Sequence, residues 1–292
     1  MRRLSMNATP LVSIIIPTRD SAKTVGICLW SINKQTYPKI EKIVVDQQST
    51  DDTKDIAENH GAEVLLVHPS RFYTPPSISR NIGANLASGK YIFHIDSDME
   101  IPSTVVEECV VECEIGGAGA VVIPEIDVGE GFWSKCKALE RSMYKGDQLI
   151  QAARFFNKAY FDRIGGYDPD VSSGEDWDIH QRIKRIAEIS SIKTAIIHHQ
   201  GKTVLMKQLR KKYHYGKTIE EYFAKHPKQA LKQFNPMRVY LKNPKILANN
   251  LNCAFGLVVL RTLEIIAACV GLLESKAHAL TESPRTDSSR IN

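Results

Sequence analysis

Residues 11–20 read LVSIIIPTRD: six apolar or small residues, a proline, then a polar and charged turn. An unbroken run with three consecutive isoleucines suits a strand buried on both faces, as in a parallel sheet. The same punctuation recurs downstream. EKIVVD at 41–46 closes on Asp46, a third run covers 63–67, and YIFHID at 91–96 ends in Asp96. Helical stretches lie between. One opens at Ser21 and runs to residue 34; one opens at Asp51 or Asp52 and closes at Gly61; one starts at Ser77 and ends near Gly89. Strand–helix alternation implies right-handed crossovers and an α/β, mostly parallel sheet sandwiched by helices. Ligands of such sheets bind beyond the carboxyl ends of the strands. Pro17, Thr18 and Arg19, then Asp46, then Asp96-Ser97-Asp98 all fall there. Further helices are expected at 102–115, 132–150 and 175–186, further strands at 118–123 and 189–198, and a turn-rich loop at 162–170.

Apolar residues make up 43% and charged residues 24% of 292, which excludes a disordered chain and a polytopic membrane protein. The six cysteines form no CxxC pair, so buried small hydrophobes and a reducing compartment are the reading. The apolar run at 11–16 is shorter than a signal h-region of about 7–15 residues and stops at Pro17, so a cytoplasmic location is expected. Net charge is +5, but residues 202–245 alone carry +10, leaving −5 elsewhere. Charge is therefore local and does not suggest nucleic acid; it suits an anionic membrane surface or a solvated basic face.

Three acidic constellations carry candidate chemistry. Asp96 and Asp98, two apart on an extended segment, share a face and suit a hard divalent cation, Mn²⁺ or Mg²⁺; the alternative is an ordinary acidic turn. Asp46 can accept from a nucleobase N–H or cap the turn that follows. Glu175 and Asp176 open a helix, where acidic residues suit the positive end, yet a carboxylate behind the Gly165-Gly166 and Gly174 turns can also take a proton from an attacking hydroxyl.

The ordered set VSIIIPTRDSAKTV, SINKQTYPKIEKIVVDQQSTDDT, ISRNIGANLASGKYIFHIDSDM and RIGGYDPDVSSGEDWDIHQRI resembles family 2 glycosyltransferases of the GT-A fold over residues 11–200. The resemblance implies an inverting, metal-dependent transferase of the hexosyltransferase kind. Pro17, Thr18 and Arg19 would line the nucleotide base and ribose, and Asp46 would accept from the base. Arg80 and Asn81 would belong to the donor-side helix, with Asp96 and Ser97 at the nucleotide sugar. Asp98, Asp96 and His198 would hold the metal, His199 being the alternative histidine. Asp176 would be the base and Glu175 its helper. The chain departs from the family where Arg19-Asp20 replaces the usual Tyr-Asn. Gln181–Arg185 lies too soon after Asp176 for the QxxRW pattern of processive synthases and reads as a solvated helix face.

The expected organisation is a catalytic domain at 10–201, a basic helical region at 202–275 and a disordered tail at 276–292. Residues 253–273 form an apolar run long enough to span a bilayer, interrupted by Arg261 and Glu264. Two central charges at ~2.5–3.5 kcal/mol each roughly cancel eleven strongly apolar residues at ~0.3–0.6 each. Spanning, lying on a membrane and docking on the domain all stay open. The favoured donor is a UDP-sugar and the favoured acceptor a hydroxyl of a membrane-associated glycan or lipid-linked saccharide. Transfer to a polyprenyl or dolichyl phosphate is the alternative within the same chemistry. A nucleotidyltransferase lacks its glycine-rich loop here, and a non-catalytic nucleotide-binding scaffold is the third reading.

Overall fold

Strand β1 (Val12–Thr18) packs Ile14 and Ile16 into one layer and Ile15 into the other. Its neighbours are β2 (Ile40–Asp46), which pairs parallel with β3 (Glu63–Leu66), and β4 (Tyr91–His94), both parallel to β1. In the computed structural model, residues 9–68, 75–147, 149–235 and 237–282 are described. Helices α1 (Val25–Asn33), α2 (Thr53–Asn59) and α3 (Pro76–Leu86) make the crossovers. α1 and α4 (Val105–Glu114) cover one face of the sheet through Cys28, Leu29, Val106 and Cys109. α3, α6 (Lys158–Arg163) and α7 (Glu175–Lys184) cover the other through Ala84, Phe161 and Ile179.

Beyond β4 the direction changes. β8 (Ala153–Asn157) runs antiparallel to β4 and to β6 (Ala120–Val122), and β9 (Ile189–Ser191) pairs parallel with β6. Together they complete a seven-stranded sheet of order β3-β2-β1-β4-β8-β6-β9. A three-stranded sheet stands over its end: β5 (Met99–Glu100), β10 (Ile196–Lys202) and β7 (Glu125–Glu130). β5 begins directly after Asp98, and its pairing with β10 brings His198 beside that residue. The helix expected at 132–150 stops early, as α5 (Phe132–Met143), because the chain must turn to enter β8.

The region after β10 is helical: α8 (Leu205–Thr218), α9 (Glu220–Lys225), α10 (Pro227–Gln233), α11 (Met237–Lys242), α12 (Pro244–Ala248) and α13 (Leu251–Glu282). α13 crosses α8 at backbone distance. A Cβ on Gly216 would sit 2.0 Å from the Ala268 carbonyl oxygen, and one on Gly271 would sit 2.0 Å from that of Tyr213. The charges inside the apolar run turn inward. Arg261 pairs with Glu140 of α5 and with Glu264, and Glu264 accepts from Gln208 of α8 at 2.6 Å. Leu251, Phe255, Val258, Ile266 and Leu273 face outward, each more than half exposed. Leu251–His278 is long and apolar enough to cross a membrane by length and composition, and little of it is buried against the protein.

Two boundary expectations are corrected. The tail placed from 276 is helical to Glu282; Glu274, held by Tyr213 and Lys217, and the Lys276–Glu220 pair keep the helix tied to α8 and α9. Residues 283–292 lie outside the described residues. The strand expected at 189–198 is two strands in two sheets.

Candidate active site

β1 and β2 end side by side, and their loops lace together. Asp46 is buried; its Oδ1 accepts from the Thr18 hydroxyl at 3.2 Å and the Ser49 hydroxyl at 2.5 Å, and its Oδ2 from the Ser49 amide at 3.2 Å. Asp46 thus caps the turn that follows it, one of the two roles the sequence leaves open for it. Asp20 accepts from the Thr50 amide at 2.8 Å, and its own amide donates to Ser49 Oγ at 2.8 Å. Both Asp20 and Gln48 have positive φ, which brings the two loops together. Pro17 and Thr18 close β1, and Arg19 is exposed at the rim.

Beyond β4 the chain turns rather than extends. The Met99 amide donates to the Asp96 carbonyl at 3.0 Å, with Ser97 and Asp98 inside the turn. The expectation of two carboxylates side by side on an extended segment is therefore corrected: they engage different partners. Asp96 pairs with Arg80 at 2.8 Å and Arg154 of β8 at 3.4 Å, whereas Asp98 Oδ1 lies 3.2 Å from His198 Nε2. Ser97 Oγ donates to Ser21 Oγ at 3.0 Å.

Arg80 is the hub. Its buried side chain also meets Asp176 at 2.9 Å and Glu175 at 3.8 Å. Its neighbour Asn81 donates to the Tyr167 carbonyl at 2.7 Å and accepts from the Tyr167 amide at 2.8 Å, so it positions the loop ahead of α7. Gly174, at φ 83°, directs Glu175 and Asp176 back toward Arg80. Asp176 Oδ1 takes Arg80 and the Tyr167 hydroxyl; Oδ2 has no hydrogen-bond partner among the described residues.

The network continues through strands that sequence reasoning missed. Arg154 also pairs with Glu125 of β7 at 2.7 Å; Arg141 of α5 pairs with Glu125 at 3.4 Å and Asp127 at 3.3 Å. His198 Nδ1 faces Glu125 at 3.7 Å and Asp127 at 3.6 Å. The alternative, His199, points away to Glu100 at 2.9 Å. The missed signal was EIDVGE at 125–130, an alternation with carboxylates two apart. Arg182 is another correction: it is not a solvated face but pairs with buried Asp178 at 2.7 Å and donates to the Ile164 carbonyl.

Charge sets the protonation states. Burial would raise the Asp96 carboxyl, but Arg80 and Arg154 hold it well below the usual range. Burial opposes Glu125 in the same way, and Arg154 and Arg141 prevail. Glu175 goes the other way: burial, then the Asp176 charge, push it up to about 7. Burial pulls His198 down, but hydrogen bonds to Asp98 and Glu125 outweigh it and bring the ring to about 9.

This network sets Glu175, Asp176, Asp96, Asp98, Glu125 and Asp127 against Arg80, Arg141 and Arg154. Buried Glu125 Oε2 and Asp127 Oδ1 face Arg141 and His198 at 3.3–3.7 Å without a close hydrogen bond among the described residues, and ligand atoms of Glu125, Asp127 and His198 lie within 4.8 Å of one another. An anionic cluster of oxygens and one imidazole fits a divalent cation such as Mn²⁺. Asp176 and His198 both line a cavity of about 440 Å³ whose far wall is built by α8 and α13.

The sequence matches glycosyl transferase family 2 over residues 13–170. The chain belongs to that family. It is a glycosyltransferase, and its α/β sheet is of the GT-A type. Among curated proteins it is similar to a PGL/p-HBAD biosynthesis glycosyltransferase of Mycobacterium tuberculosis, 31% identical over 184 residues, 60% of this chain and 70% of that protein. It is also similar to the uncharacterized glycosyltransferase YibD of Escherichia coli, 32% identical over 35% of this chain and 30% of YibD's length. Among solved structures, mannosyltransferase PcManGT from Pyrobaculum calidifontis, in complex with GDP-Man and Mn²⁺, superposes with a TM-score of 0.60 at 19% identity, covering 94% of this chain and 88% of that one. S. aureus TarS 1-349 in complex with UDP-GlcNAc gives 0.57 at 17% identity, covering 93% and 92%.

Proposed function

We propose that the protein moves a sugar from a nucleotide-sugar donor to an acceptor hydroxyl with inversion, at the cytoplasmic surface of a membrane. The observation that carries this reading is Asp176. Arg80 fixes one of its oxygens, the other has no hydrogen-bond partner among the described residues, and Asp176 lines the cavity. A hydroxyl held there loses its proton to Oδ2 and attacks the anomeric carbon from the side opposite the leaving diphosphate. The new C–O bond forms as the bond to the diphosphate breaks.

The donor is assigned to the loops after β1 and β2, with Thr18, Arg19 and Asp46 at the base and ribose. Asp98 and the His198 Nε2 facing it are the residues to hold Mn²⁺ or Mg²⁺. Glu125 and Asp127 orient the ring from its Nδ1 side, as second-layer carboxylates do for metal-binding histidines. When bound, the cation neutralises charge on the leaving diphosphate. Asp96, clamped by two arginines, positions Arg80 and Arg154 rather than binding the metal. A UDP-sugar remains the favoured donor; the structural neighbours are solved with UDP-GlcNAc in one case and GDP-Man in the other.

Membrane association rests on the +10 segment and on the outward apolar stripe of α13. With Arg261 and Glu264 turned inward and paired, the helix suits lying on an anionic surface with Leu251, Phe255, Ile266 and Leu273 inserted. The acceptor is then a membrane-associated glycan or a lipid-linked saccharide.

Asp176→Asn tests the mechanism. Transfer is expected to fall by about 10²–10⁴-fold, the usual range for loss of a general base, with donor binding retained. Turnover that survives the substitution would mean an acceptor that is already anionic, such as a lipid phosphate, and would remove Asp176 as the base.

A further inference from the structure

The cavity beside Asp176 holds two cations that make no ion pair among the described residues. Arg141, Arg154 and Arg261 line it, and each faces carboxylates. Lys137 of α5 and Lys212 of α8 also line it, and neither pairs with a carboxylate among the described residues. Lys137 Nζ meets only the Gln200 amide oxygen at 3.3 Å, and Lys212 Nζ lies 5.4 Å from the Tyr215 ring centroid. Burial lowers both, Lys212 to about 8; neighbouring cations lower them as well, while Glu264, and for Lys137 also Asp127, pull the other way without reaching ion-pair distance. Two desolvated like charges in one cavity are costly unless an anion joins them.

Resting on the transferase reading above, we propose that Lys137 and Lys212 form a subsite for a phosphate group of the acceptor. Asp176 and Glu175 line the cavity together with His198, whereas Pro17, Thr18 and Asp46 do not, so it reaches from the metal position to the acceptor side of the base. Phosphate suits the pair better than carboxylate does. The guanidinium forks that match a carboxylate are already engaged, and two ammonium point charges remain for a dianion. Ile219, Phe234 and Ile265 add apolar lining to the same cavity, which suits hydrocarbon next to the phosphate.

The test is calorimetric titration of inorganic phosphate into the full chain, alone and saturated with Mg²⁺ and whichever of UDP, GDP or dTDP binds tightest. The nucleotide titration reads the donor assignment separately, so its failure is not a failure of the phosphate subsite. Saturable phosphate binding to the nucleotide-loaded protein is expected. Lys137→Met and Lys212→Met should each weaken it at least tenfold while nucleotide affinity stays within twofold, and Lys212→Arg should restore most of it. Geranyl phosphate binding tighter than methyl phosphate assigns the group to a lipid carrier, and equal binding assigns it to a soluble sugar phosphate. The proposal is overturned if phosphate displaces the nucleotide, which would place the lysines at the donor diphosphate. It is equally overturned if phosphate fails to bind the wild-type protein, or binds the double variant K137M/K212M unchanged.

Discussion

Arg80→Met is the substitution whose cost the geometry defines best. The Arg80 side chain is 4% exposed and contacts Asp96 at 2.8 Å, Asp176 at 2.9 Å and Glu175 at 3.8 Å. Removing one member of a buried ion pair costs about 3–5 kcal/mol, because the partner stays behind unpaired. Here Asp96 and Asp176 are 29% and 34% exposed and regain some water, and Arg154 still covers Asp96. The lower end applies, about 3 kcal/mol, or a melting temperature lower by roughly 6–12 °C at about 2–4 °C per kcal/mol. Asp96 has a depressed folded pKa, so the stability it draws from Arg80 is present above the ordinary carboxyl range and is lost as pH falls through its folded value. The variant can also relieve its stranded charge by protonating Glu175, already at about 7 in the wild type. The gap between the two proteins should therefore narrow on going from about pH 8 to about pH 5. Thermal unfolding followed by far-UV circular dichroism at both pH values checks this. A loss under about 2 °C near pH 8, or a gap that widens in acid, refutes the claim that Arg80 neutralises this carboxylate cluster.

Other outcomes follow from the same structure. Glu175 has a raised folded pKa, so its contribution is present below its ordinary value of 4.5 and is lost as pH rises through about 7. Glu175→Gln should flatten the alkaline side of the melting-temperature profile, and an unchanged slope between about pH 6 and pH 8 would count against this. Gly216→Ala drives a Cβ into the Ala268 carbonyl, so it should cost about 1–3 kcal/mol and speed tryptic cleavage between α8 and α13. Arg261→Met strands buried Glu140 and should destabilise by about 3–5 kcal/mol in urea unfolding, whereas E140L/R261M should recover most of that. A double variant no more stable than Arg261→Met would show that the pair is not what docks α13.

The parallel half of the sheet was legible because its strands are buried on both faces and read as continuous apolar runs. β1, β2 and β4 stand within a residue or two of expectation, and with them the positions of Thr18, Asp46 and Asp96. β7 was not legible. It carries Glu125 and Asp127 into a buried charge cluster, against the usual rule that an amphipathic strand turns its carboxylates to water. β8 was hidden behind a helix read seven residues too long, and Arg154 with it. Without Arg154 and Glu125, nothing in the sequence shows that Asp96 is clamped by arginines. The same blindness applied to the apolar run at 253–273. Arg261 and Glu264 look like membrane-crossing penalties in one dimension, and their partners, Glu140 and Gln208, lie far away along the chain.

Everything proposed for this site depends on the loops after β1, β2 and β4 binding a nucleotide sugar together with a divalent cation. The most direct measurement is binding and hydrolysis of a panel of UDP-, GDP- and dTDP-sugars by the purified chain in Mn²⁺, in Mg²⁺ and in EDTA, with His198→Ala alongside. One nucleotide should be bound and turned over, EDTA should abolish turnover, and His198→Ala should lose the turnover that the metal supports. No binding across the panel, or equal turnover in EDTA, would contradict it.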